Sequence, residues 1–402
     1  MTAVVAHTRP VRSRMAEIDA LRGFALLGIL LVNAAMMAGP YGLGSVHDPG
    51  ASALDRTVEG VLQTFVVGKF YLMFSFLFGY SFTLQLAAAD RAAARPVPRL
   101  LRRSLGLLAL GVLHAVLLYV GDILITYAVL GLVLVAARGC SPRAARRAAG
   151  LLYGCTSALM LLVGSVSLFL SDAESADLDA ELAADFPGLT AGYRGDAAAV
   201  LRTNLDQLPD ALLASLLMSG FVLAAFLVGL YCGKLRLLAD AAVDRTRLRR
   251  VCLLGAAAGL PGGLFMALTA SGPLGARWTA LGQVVGMVTA PALTAAYVCG
   301  TLLLLRGPRG ARLTALLAPA GRMALTNYLS QSLVMALVFT GYGLALYDRL
   351  PPAVVTAGAC ALYGVQLALS TRLMTRFRYG PVEWLLRAVT VGHAPGRERG
   401  GP

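Results

Sequence analysis

This sequence is short of charge. Asp, Glu, Lys and Arg make up 14% of its 402 residues, against about 25% in an ordinary soluble domain. A chain so poor in polar groups cannot coat a water-facing surface. That excludes a soluble enzyme, a soluble nucleic-acid-binding domain and an intrinsically disordered chain. Cysteine is scarce and unpaired in its spacing. Cys140, Cys155, Cys232, Cys252, Cys299 and Cys360 form neither a disulfide framework nor a C-x-x-C motif, and read as small packing residues. No set of His, Cys or carboxylates has metal-ligand spacing, so no metal is expected. Lysine is almost absent: 33 of the 35 basic residues are arginine.

What is present in quantity is apolar: 57% of the residues are hydrophobic. Apolar runs of 18 or more residues recur, each able to cross a hydrocarbon core of ~30 Å. They predict an all-α, polytopic membrane bundle of about ten spans, at 18–38, 66–89, 104–120, 122–137, 148–170, 210–232, 251–270, 278–305, 322–346 and 352–371. The third and fourth nearly touch, predicting a tight hairpin at Gly121. The segment Arg56 to Phe65 reads as an amphipathic surface helix. The net charge of +14 is explained by orientation rather than by nucleic acid. With both termini inside, 27 basic residues fall in inner segments and five in outer ones. The expected location is a bacterial plasma membrane, with both termini cytoplasmic.

The long outer segment from Ser171 to Pro209 holds eight acids and reads as a solvated acidic loop. It divides the chain into N-terminal spans (1–171), the loop (172–209), five C-terminal spans (210–392) and a tail (393–402).

Ionisable groups in a span cost about 2.5–3.5 kcal/mol to insert, so each is a candidate site. Asp19 and Arg22 open the first span three residues apart on one face. They fit either an interfacial arginine with its helix-starting acid or a guanidinium held to bind phosphate. Asn33 lies eleven residues on, ~16 Å up the helix. Lys69 begins the second span, where it either snorkels to the outer interface or takes part in chemistry. His114 is the only histidine inside a span, with Tyr119 and Asp122 after it. It serves in helix packing, or as a base whose ring Asp122 orients. His47, in the first outer loop, is a weaker second base. At the ninth span, Arg322, Asn327 and Gln331 combine an inner-edge cation with amides that suit interhelical hydrogen bonding. The last element, around Glu383 and Arg387, reads as an interfacial helix along the inner surface.

Four motifs, in order, carry a resemblance. They are Asp19-Ala20-Leu21-Arg22-Gly23, His114 through Asp122-Ile123-Leu124, Gly321-Arg322-Met323-Ala324-Leu325-Thr326-Asn327-Tyr328, and Gly380-Pro381-Val382-Glu383-Trp384. Together the sequence resembles the YeiB-like family of bacterial membrane proteins, whose C-terminal half is a domain of unknown function numbered 418. More distantly, the N-terminal half is similar to heparan-α-glucosaminide N-acetyltransferase and the transmembrane acyltransferases. These carry acyl groups from cytoplasmic acyl-CoA to a sugar across the membrane. The Asp-x-x-Arg-Gly opening is shared. Acyltransferase family 3 places a histidine eleven residues after that arginine, where this chain has Asn33, so any base must be His114 or His47.

The resemblance and the two polar levels imply an acyltransferase. Asp19, Arg22, Arg322 and Asn327 would hold the donor, acyl-CoA and most simply acetyl-CoA, at the inner side. His114 and Asp122 would activate an acceptor hydroxyl or amine, and Lys69 or Asn33 would stabilise the oxyanion. The partners implied are the lipid bilayer and a small-molecule or glycan acceptor; a homodimer is allowed. The alternative is a small-molecule transporter with a His114–Asp122 polar pathway.

Overall fold

A computed structural model describes residues 11–43, 46, 48, 50–91, 95–238, 244–271, 274 and 276–396. Among them the chain forms helices and no β-sheet. These are α1 (Val11–Ala38), α2 (Ala53–Phe65), α3 (Lys69–Arg91), α4 (Pro96–Leu117), α5 (Leu124–Ala136), α6 (Pro142–Val166), α7 (Asp172–Ala183) and α8 (Phe186–Arg194). They continue with α9 (Ala197–Lys234), α10 (Arg245–Ser271), α11 (Thr279–Leu305), α12 (Gly310–Arg322), α13 (Ala324–Phe339), α14 (Pro352–Arg376) and α15 (Pro381–Val391).

Among the described residues, eight helices are long and apolar enough to cross a membrane: α1, α3 together with the α2 that leads into it, α4, α6, α9, α10, α11 and α14. α5 and α13 stand where the fourth and ninth spans were expected. They are apolar, but at 13 and 16 residues they fall short of the ~20 that a crossing takes. The molecule has a basic face, where α1 begins, and an opposite face carrying α2, α7 and α8.

Two expectations change in the fold. The acidic segment is helical rather than an open loop: Ser171 caps α7 through a capping box with Glu174, and Asp196 caps α9. α9 therefore begins at Ala197, thirteen residues before the predicted span, and carries Pro209 inside it. Proline removes one backbone hydrogen bond, but an apolar helix with neighbours on several sides tolerates the loss. The predicted surface helix is α2, opened by a capping box between Ser52 and Asp55. Asp55 also accepts a hydrogen bond from the Ala353 amide (3.1 Å), tying α2 to the start of α14.

α1 is the centre of the bundle. Ala20, Leu21, Ala25, Leu26 and Leu30 are fully buried, and α1 packs on α3, α11, α12, α13 and α14. Between helices surrounded by lipid, contact depends on close packing rather than on expulsion of water, so small residues bring backbones together. At Gly23 a Cβ would lie 2.2 Å from the Leu317 carbonyl oxygen, and at Gly321 one would lie 1.7 Å from the Asp19 carbonyl oxygen. No side chain fits at either place. These two glycines lock α1 to α12 and bring Asp19 and Arg22 beside Arg322. The motif glycines are helix-crossing residues.

Candidate functional site

Two cavities enter the bundle from opposite faces. The one toward the basic face has a volume of ≈ 410 Å³ and is walled by α1, α3, α4, α12, α13 and α15. Four arginines line it: Arg22, Arg103, Arg322 and Arg387. Arg22 is held by Asp19 at 2.5 Å and donates a second hydrogen bond to the Ser81 hydroxyl. Arg322 donates to the Arg378 carbonyl at 2.9 Å. Arg103 lies over the Phe78 ring and Arg387 over the Tyr379 ring, each guanidinium carbon 5.0 Å from the ring centroid. Stacking fixes a guanidinium in place while leaving its N–H edges free to bind anions. Neither Arg103 nor Arg387 has a carboxylate within ion-pair distance among the described residues.

Glu383, on the same wall, does not pair with Arg387 as its i, i+4 spacing suggested. Its Oε1 accepts from the Leu325 and Thr326 amides (2.7 and 3.0 Å), and its Oε2 from the Thr326 hydroxyl (2.6 Å). The carboxylate thus caps the N-terminus of α13, where orphan amides and the helix dipole both attract an anion. Burial pushes its carboxyl above the usual carboxylate range, and the hydrogen bonds from Thr326 and Leu325 pull the other way.

The second cavity, of ≈ 500 Å³, reaches the opposite face. Asn33, Asp122, Tyr71, Thr126, Asn204 and Gln207 are among its polar lining, and no Lys or Arg lines it among the described residues. Asp122 sits in the α4–α5 turn and caps α5, accepting from the Ile125 amide at 2.6 Å through Oδ2. His114, on the last turn of α4, places Nδ1 2.8 Å from Asp122 Oδ1. The pair is at ion-pair distance but off the ring's N–H direction, so neither atom completes an aligned hydrogen bond. The imidazole is 2% exposed, and Nε2 has no partner among the described residues. Its ring faces Tyr328 at 5.0 Å.

Ile29, Ile123 and Tyr328 line both cavities. Three side chains therefore separate an arginine-rich chamber from a neutral one, and the His114–Asp122 pair packs behind that partition. Arg22 and Asn33 are eleven residues apart on α1 and serve the two cavities respectively. Arg103 and His114 are eleven apart on α4, so the spacing repeats. Eleven residues make three turns, placing both members on one face ~16 Å apart.

The remaining expected residues lie elsewhere. Lys69 is fully buried and lines neither cavity. Its ammonium donates to the Gln63 carbonyl at 2.9 Å, at the C-terminal end of α2 where a cation meets orphan carbonyls. Snorkelling is blocked because α2 lies over it. Asn327 turns toward α14: its amide donates to the Ala320 carbonyl (3.1 Å) and the Ser370 hydroxyl (3.0 Å). Gln366 donates to the Asn327 carbonyl (3.0 Å), and Gln331 to Gln366 at 2.7 Å. That network joins helices and leaves Asn327 no part in the chamber. His47 lies outside the described residues. Arg103, Arg387 and Tyr328 were not expected in the site, although Arg387 belongs to the predicted interfacial helix and Tyr328 ends the third motif. The signal for Arg103 is its eleven-residue spacing to His114.

Residues 232–393, from the end of α9 through α15, match the family model described as protein of unknown function (DUF418). Over this segment the chain is similar to the DUF418 family. Over 397 residues the whole chain is 28% identical to the uncharacterized protein YxaH of Bacillus subtilis, covering 94% of each. It is 29% identical over 383 residues to an uncharacterized 39.9 kDa protein in the amylase 3′ region of Bacillus acidopullulyticus, covering 94% of each. It is 28% identical over 394 residues to the uncharacterized protein YeiB of Escherichia coli, covering 94% of this chain and 96% of YeiB. The YeiB-like resemblance expected from the four motifs therefore holds along the chain. The matched segment supplies Arg322, Tyr328, Glu383 and Arg387. Asp19, Arg22, Asn33, Arg103, His114 and Asp122 come from the residues before it, so the candidate site draws on both.

Proposed function

We propose that this protein is a membrane-embedded acyltransferase that moves an acyl group from cytoplasmic acyl-CoA to a hydroxyl or amine on the other side of the membrane. The observation that carries this reading is the contact of two unlike cavities at Ile29, Ile123 and Tyr328, with His114 and Asp122 behind the contact. Four guanidiniums suit a donor with several phosphates, and their chamber faces the side that the basic loops assign to the cytoplasm. Most simply, the donor is acetyl-CoA.

In this scheme the acyl end of the donor reaches the partition once Tyr328 moves aside. His114, which lines neither cavity until Tyr328 moves, would align with the neighbouring Asp122 carboxylate and take the proton of the acceptor. The acceptor oxygen or nitrogen attacks the thioester carbonyl, the C–S bond breaks, and the imidazolium returns the proton to the departing thiolate. The Asn33 amide, which lines the neutral cavity, would donate to the developing oxyanion. Lys69 and Asn327 take no part.

The test uses the full chain in proteoliposomes. Acetyl-CoA raises the melting temperature of the wild-type protein and not of Arg22→Ala, and His114→Ala retains donor binding but loses transfer. Full transfer by His114→Ala would reject the base assignment.

A second reading, a small-molecule transporter, draws on the same thin partition between opposite-facing cavities. Uptake of a solute without any CoA, with no acyl product, would favour it.

A further inference from the structure

The neutral cavity has a length and a chemistry that the scheme above leaves unused. α5 has 13 residues, ~20 Å of helix against a hydrocarbon core of ~30 Å. The α4–α5 turn, from Leu118 to Ile123, lines the cavity. One face of α9 forms its far wall through Gln207, Ala211, Ala214, Ser215, Met218 and Val222, three or four residues apart except for the adjacent Ala214 and Ser215. Three of these are small, which hollows the wall. The hollow runs ~17 Å from Ala211 to Val222, along the helix with the most apolar window of the eight. Ile29, Val32 and Met36 of α1 line the same cavity. Met36 is 44% exposed, although α1 is the central helix.

At the deep end are two buried hydroxyls. Tyr328 is 5% exposed, and its Oη stands beside the Ile123 backbone without completing an aligned hydrogen bond among the described residues. The Tyr71 hydroxyl is buried and unpartnered among the described residues, and both residues line the cavity. A buried hydroxyl with no partner costs free energy that a ligand would recover.

We propose that this cavity binds a membrane amphiphile, with an aliphatic chain lying along α9 from Ala211 to Val222 and a neutral hydroxyl-bearing end at Tyr328 and Tyr71. A mostly apolar cavity of this size takes up apolar molecules rather than ordered water, and the surrounding bilayer holds such chains at high concentration. An anionic head has no cation to meet here, whereas the basic chamber has four. The proposal deepens the acyl-transfer reading, on which the amphiphile's role as acceptor rests, because its hydroxyl would lie beside the Asp122–His114 pair. Binding itself requires neither donor nor catalysis.

The experiment uses the full chain in phosphatidylcholine nanodiscs at pH 8. Three diazirine probes are compared: long-chain hexadecanol, hexadecanoic acid and short-chain butanol, with cross-links mapped by mass spectrometry. The alcohol of long chain is expected to label the 207–222 segment at least about tenfold above the other two, a difference of ~1.4 kcal/mol. Ala214→Trp and Ser215→Phe, which fill the hollow, are expected to abolish that label. Label at Leu159 and Leu162 on the exposed side of α6 stays unchanged. Equal labelling by the acid or by butanol, or label that survives both substitutions, overturns the proposal. Should both variants fail to fold, excess unlabelled hexadecanol must reduce the wild-type label at α9 and spare α6; equal loss at both overturns it. Acetyl-CoA binding is measured in the same nanodiscs. Labelling without CoA binding rejects the transfer reading alone, and CoA binding without labelling rejects the amphiphile alone.

Discussion

The two cavities share three residues and almost nothing else. The basic chamber concentrates Arg22, Arg103, Arg322 and Arg387, two of them stacked on aromatic rings and one clamped by Asp19. The opposite cavity has no cation among its described lining, and its one carboxylate, Asp122, is occupied by His114 and the start of α5. Asymmetry of this kind is expensive to keep in a membrane protein: each buried guanidinium must be paired, stacked or open to water. A pathway for one solute would present matching chemistry along its length. Two chambers of opposite character suit two different molecules that meet at a wall.

That comparison can be broken at its centre. His114→Ala should reduce acyl transfer by roughly 10²–10⁴-fold while leaving donor binding intact; single-turnover kinetics separates the two. Next comes the crossing that assembles the basic chamber. A side chain at Gly321 would collide with the Asp19 backbone, so Gly321→Val should destabilise by ~3 kcal/mol, read as a lower thermal midpoint in detergent, with donor binding lost. Arg103→Ala and Arg387→Ala sharpen the difference between chambers. Each should weaken acetyl-CoA binding by about tenfold or more without changing labelling of the neutral cavity, and equal effects on both would deny that the chambers are separate.

Glu383 gives a pH test. Burial holds its folded-state carboxyl above the usual range. Its contribution to stability is therefore full below about pH 4, near the unfolded glutamate value, and is lost as pH rises through the folded value. Glu383→Gln should flatten that part of the stability–pH profile measured by thermal unfolding. The smallest effect belongs to Lys69. Because its ammonium serves the end of α2, Lys69→Met should change transfer by less than about twofold, as expected away from the chemistry. A tenfold loss would return Lys69 to the site.

Much of the candidate site could be read from single residues, because ionisable groups stand out in an apolar background. His114 with Asp122, and Asp19 with Arg22, are neighbours in sequence and neighbours in space. Asn327 bonds between helices, as one of its two readings expected, whereas both readings of Lys69 missed its partner, the Gln63 carbonyl at a helix end, which becomes visible only once helices pack. Glu383 looked like half of a surface pair and instead caps a helix 58 residues away in sequence.

The amino-acid sequence alone determined the class of molecule, the apolar helices and the positions of the basic loops. Those follow from transfer free energies summed over local windows, which need no tertiary information. The tertiary structure decided which polar groups share a void. Glycine crossings set how closely α1 meets α12, and small residues of α9 hollow one wall of the neutral cavity. Both depend on distances between segments far apart in the chain, and no local pattern encodes them.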